Sequence, residues 1–117
     1  MNPSILPSKS VDKNYLLRLL NGNTEMMGVV LNEIFHNIPN CLNEIHSGLN
    51  SNDSLSVATY ASRAKSAFTI LREDQLAKAF LQIETAARAG NMNAATGTFT
   101  SVLEASLSRI SSIKEAA

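Results

Sequence analysis

The chain has no tryptophan, one cysteine, three prolines and five glycines in 117 residues. Four phenylalanines and two tyrosines are its only aromatics, so any core must be built from Leu, Ile, Val, Ala and Met. A single cysteine, Cys41, excludes an internal disulfide framework and fits a reducing compartment. It falls within an apolar helical pattern, where a small buried hydrophobe is expected. Neither charge sign is in excess: ten basic and ten acidic residues cancel, which removes the overall electrostatic footprint of a nucleic-acid or acidic-membrane binder. No run approaches the roughly 18 apolar residues of a membrane span. Residues 1–9, MNPSILPSK, lack the basic start and apolar stretch of a signal peptide. The expectation is a cytoplasmic protein.

What is present is 44% apolar and 17% charged, the composition of one globular domain. Pro3 and Pro7 make residues 1–9 an expected irregular arm, and residues 10–117 the domain. Ser10 is placed to cap a short helix to about Leu20, with Leu16, Leu17 and Leu20 inward, closed by Asn21-Gly22-Asn23. Thr24 then caps a long helix to about Leu49, with Met27, Leu31, Ile34, Phe35, Ile38, Leu42, Ile45 and Leu49 in a three/four seam. Pro39 inside it should bend the helix and not end it, because the seam continues in phase.

Asn52 or Asp53 caps the next helix, which ends around Arg72-Glu73-Asp74. A further helix to about Ala89 turns Leu76, Ala79, Phe80, Ile83, Ala86 and Ala87 inward, and Gly90 closes it. Asn91 or Asn93 caps the last helix, with Ala95, Phe99, Val102, Leu103, Ser106, Leu107, Ile110 and Ile113 as its stripe. Nothing reads as strand. The fold class expected is all-α: an up-down-up-down antiparallel four-helix bundle with a short extra N-terminal helix.

Motifs for independent chemistry are missing. There is no HExxH, no CxxC and no GxxxxGK[ST]. His36 and Cys41 are five apart and do not stack on one helical face, so no metal site is expected. No serine has a nucleophile elbow or an obvious histidine partner. His36 and His46 are read as solvated positions on the long helix, and Glu73-Asp74 as a pair serving the cap and dipole of a helix start. No catalytic residue and no cofactor is expected.

The stretch Asp53 to Leu71, DSLSVATYASRAKSAFTIL, is different in kind. Leu55, Val57, Ala58, Ala61, Ala64, Ala67, Phe68 and Leu71 form one stripe facing a core. Thr59, Ser62, Arg63, Lys65, Ser66 and Thr69 form the other, and four of these six side chains are short. A partner's surface can come close to the helix backbone there, with Arg63 and Lys65 adding positive charge.

This stretch resembles the phosphoacceptor helix of histidine-phosphotransfer domains of bacterial multistep phosphorelays. In that family an Ala-His pair is followed by an apolar residue, a Lys three after the His, and then Gly or Ser. Ala61, Lys65 and Ser66 match; the similarity extends over the Ile38-Pro39 step, the Asn-Asp turn and the Glu84–Asn91 run. Ser62 stands where the family has its acceptor His, Ala64 replaces a larger apolar residue, and Arg72 stands near an expected turn Gly. A serine hydroxyl needs a general base, and a phosphoserine ester is too stable to pass its phosphoryl group on.

The resemblance therefore implies a non-enzymatic adaptor that docks on a receiver domain or histidine kinase through Thr59, Ser62, Arg63, Lys65, Ser66 and Thr69 without carrying phosphate. It is expected to be a monomer, with no nucleic acid and no membrane among its partners. Two alternatives stand beside it: a phosphorelay protein, if the natural residue 62 is His or another His serves, and a helical interaction module with an unrelated partner.

Overall fold

The computed structural model describes residues 22–116, with side chains through residue 112. Four α-helices account for nearly all of this: α1 (Thr24–Asn50), α2 (Ser54–Ile70), α3 (Asp74–Arg88) and α4 (Met92–Ala116). No strand occurs among the described residues. The expected arm 1–9 and the expected helix from Ser10 to Leu20 lie outside them. Each helix packs on the next, and α4 closes back on α1.

Helix α1 begins one residue earlier than Thr24 would place it. Asn23 is the cap, its side chain accepting from the Met26 N–H at 2.9 Å, and Thr24 is the first helical residue. An asparagine in extended backbone caps as well as a threonine, and it comes first. Pro39 lies inside the helix without ending it. At about 1.5 Å per residue the 27 residues of α1 span roughly 40 Å, which matches the 42 Å long dimension of the molecule.

Helix α2 lies between α1 and α3, and its small residues allow that. Ala58, Ala61 and Ala64 are all buried, so the neighbouring helices approach its backbone closely. Against α1 the approach is close at Gly48, where a Cβ would fall 2.9 Å from Val57 Cγ2 and 3.3 Å from the Asp53 carbonyl oxygen. Against α3 the contact is aromatic: the fully buried rings of Phe68 and Phe80 stack with centroids 5.5 Å apart. Such a pair contributes about 0.5–1.5 kcal/mol beyond its buried area.

The three connections share one construction. The residues after the C-caps, Asn52, Arg72 and Gly90, all have positive φ, at 56°, 59° and 76°. At each, that residue's N–H and the following one bond back to the helix: Asn52 to Leu49 and Asp53 to Gly48, Arg72 to Thr69 and Glu73 to Phe68, Gly90 to Ala87 and Asn91 to Ala86. This is the Schellman arrangement, which satisfies carbonyls that the helix end leaves open. The last residue of each connection is at once the cap position of the next helix. Asp53 and Asn91 serve there with their side chains, accepting from Ser56 and Ala94 N–H groups.

Two apolar residues assigned inward by spacing face outward. Leu55 is 70% exposed, because it sits about 200° around the helix from Val57, which the core holds. Leu107 is 49% exposed, while Ser106 beside it is buried. The buried arc of α4 is narrower than its apolar stripe, and it is centred on Phe99, Val102, Ser106 and Ile110.

Candidate functional site

The groove between α1 and α2 is the principal concavity near the predicted site, about 550 Å³ in volume. Val30, Ile34, Ile38, Cys41 and Ala67 supply its apolar lining, with Val29 and Ile70 as large exposed hydrophobics at its surface. Glu33, Asn37 and Asn40 come from α1, and Ser62, Arg63 and Ser66 from α2. Half of the predicted docking residues thus border one groove.

Two of the four hydroxyls of the α2 strip are engaged with their own helix. Ser66 Oγ donates to the Ser62 carbonyl at 3.2 Å, and Thr69 Oγ1 donates to the Lys65 carbonyl at 2.8 Å. These back-bonds keep the strip low, with little projecting from it. Thr59 and Ser62 are half-buried, while Ser66 and Thr69 are exposed.

The two cations diverge. Arg63 is exposed, its guanidinium carbon 5.0 Å from the Tyr60 ring centroid, one turn back along α2. That cation–π contact is worth about 0.5–1 kcal/mol at an exposed site. Lys65 turns instead toward α3, where its Nζ lies 3.5 Å from Glu84 Oε1. Glu84 holds Arg88 as well, at 3.0 Å. The charge expected of Lys65 toward a partner is shared with α3, although a partly exposed pair of this kind is worth only about 0–1 kcal/mol and yields to a better acceptor.

Cys41 is buried, as its place in the apolar pattern implied. Burial pushes its thiol above the ordinary value, the Arg63 guanidinium opposes that shift, and Glu44 adds to it. His36 and His46 are both exposed, and His46 Nε2 lies 3.2 Å from Asn50 Nδ2. No histidine lines the groove. Among the described residues no three His, Cys, Asp or Glu side chains gather as a metal would require, and no helix is long and apolar enough to cross a membrane.

Of the Glu73-Asp74 pair, Asp74 lies in the first turn of α3 as expected, and Glu73 departs from the expectation. Glu73 occupies the cap position of α3 by its backbone, but its side chain makes no capping bond. It turns inward, and Arg109 Nη2 on α4 donates to Glu73 Oε2 at 2.6 Å. Glu73 is 1% exposed and Arg109 7%. The cap-and-dipole role expected of Glu73 is therefore corrected: an internal guanidinium outcompetes a helix end for its carboxylate. The clue was available in α4, where Arg109 follows Ser106 by three and Val102 by seven and so lies on the inner stripe.

No protein-family model, no curated protein and no solved structure matches the chain.

Proposed function

We propose that this chain is a docking domain of the histidine-phosphotransfer type, an up-down-up-down bundle that binds a receiver domain or histidine kinase in the cytoplasm, as a monomer, and carries no phosphate. The observation that carries this reading is the position of Ser62. It is half-buried at the α1–α2 groove beside Arg63 and Ser66, at the place in the helix where the resembling family has its acceptor imidazole. Arg72 adds support, because its φ of 59° is the backbone that the family's turn glycine would adopt without strain. Alternating helix direction is supported by the contacts between α2 and α3: Phe68 meets Phe80, and Lys65, one turn earlier, meets Glu84, one turn later.

A partner of this class presents an acidic phosphorylation pocket. The shallow strip admits it close to the α2 backbone, and Lys65 exchanges Glu84 for the partner's carboxylates. Titration of purified receiver domains onto the chain tests this. Ser62→Glu is expected to weaken binding at least about tenfold, since like charges then face each other. Ser62→His is expected to gain acid-labile phosphate from a phosphorylated receiver. Unchanged affinity of Ser62→Glu, or no receiver or kinase bound at all, overturns the reading.

The Lys65–Glu84 pair favours a second reading, a helical interaction module whose unrelated partner uses the apolar groove and not an acidic pocket. Under it Ile70→Asp abolishes binding while Lys65→Gln, at a residue that does not line the groove, has little effect.

A further inference from the structure

Helix α4 carries two overlapping apolar stripes. The core holds Phe99, Val102 and Ile110, but it holds Ser106 as well and leaves Leu107 half outside. Successive residues lie about 100° apart on a helix. A rotation of α4 by roughly half that angle turns Leu103 and Leu107 inward and carries Arg109, Val102 and, less far, Ser106 toward water. Apolar burial does not by itself separate the two placements, because two partly exposed leucines move in as the buried Val102 moves out. A polar contact can therefore select between them.

The contact that separates the two placements is Arg109 Nη2 to Glu73 Oε2, at 2.6 Å. Glu73 is a fixed point: its backbone N–H is bonded to the Phe68 carbonyl, and its own carbonyl accepts from Ala77. Yet the pair is incompletely satisfied, since Glu73 Oε1 and Arg109 Nε have no partner among the described atoms. A buried pair with unmet bonding capacity contributes little net stability compared with apolar residues of similar size, and the role such pairs are best attested in is choosing register. We infer that Glu73 and Arg109 form a rotational lock, which holds α4 in one of two available settings against the α2–α3 corner. Removing both charges frees α4 to turn its Leu103–Leu107 side toward the core, so the outer face of the bundle along α4 changes without loss of the fold.

The test uses the full chain, with Ser106→Cys and Leu107→Cys made separately as reporters and alkylation read site by site by peptide mass spectrometry. Native Cys41 is the internal measure of global opening, because it is buried where α1 meets α2. With the native pair, the thiol at 107 is expected to react at least ten times faster than the thiol at 106. In Glu73→Leu/Arg109→Met, that ratio is expected to fall at least tenfold while Cys41 stays protected. Methyl spectroscopy of the same double variant without reporters should show new contacts from Leu107 to buried methyl groups. An unchanged ratio with Cys41 protected overturns the lock, because packing alone then sets the rotation. Reaction of Cys41 in the double variant overturns it too, since the pair is then needed for folding and not for choice between settings.

Discussion

At the scale of single residues, Cys41 is the most informative side chain in the groove. Its thiol is raised by burial against the partial opposition of Arg63, so the folded state keeps the proton after an unfolded chain has released it. At neutral pH both states are protonated and the group contributes nothing to pH dependence. As pH rises past the ordinary thiol range, about 8.5, the unfolded state alone ionises, and stability is lost because the folded state binds more protons. Urea midpoints measured from pH 7 to pH 10 are therefore expected to fall further for the native chain than for Cys41→Ala. Parallel pH curves for the two would show that the groove admits water to the thiol. The apolar spacing of α1 made Cys41 legible as buried. Gly48 was not legible in that way, because nothing in a helical pattern marks the glycine whose missing Cβ lets Val57 approach.

At the scale of elements, the three corners explain why helix limits could be placed closely from sequence while the side-chain roles at those limits could not. Asn, Asp and Gly announce a helix end by their tolerance of positive φ and their capping oxygens, and Asp53, Gly90 and Asn91 do what their types suggest. Arg72 and Glu73 break the pattern at the middle corner. Arg72 takes the left-handed backbone that suits glycine, and Glu73 leaves its cap for the core. A left-handed residue with a Cβ costs about 1–2 kcal/mol, and glycine gives back some of that through its freer unfolded chain, about 0.4–1 kcal/mol. Arg72→Gly is thus expected to be more stable by about 0.5–1 kcal/mol than Arg72→Ala, which loses the same side-chain interactions but keeps the Cβ, and to show a higher thermal midpoint with the same helical circular dichroism. Equal midpoints for the two variants would mean that the left-handed backbone at this corner carries no strain.

At the scale of the whole molecule, the middle corner and α4 are joined by one buried ion pair, and this joins the closing helix to the rest. Local pattern could not foresee it, since the two residues are 36 positions apart in sequence and only the closed arrangement of four helices brings them together. The consequence is asymmetric. Replacing both partners with apolar residues is tolerated, but removing one leaves a charge in the interior, which costs about 3–5 kcal/mol. A domain of this size has a total stability of only about 5–15 kcal/mol, and each kcal/mol moves its midpoint by about 4 °C. Arg109→Ala, which strands the Glu73 carboxylate, is therefore expected to lower the thermal midpoint by at least about 12 °C. Glu73→Leu/Arg109→Met should recover most of that loss. Thermal melts of the two, run side by side, separate a stranded charge from a missing contact. A midpoint equally low in the double variant would make the ion pair itself the source of stability, because no buried charge is then left to blame.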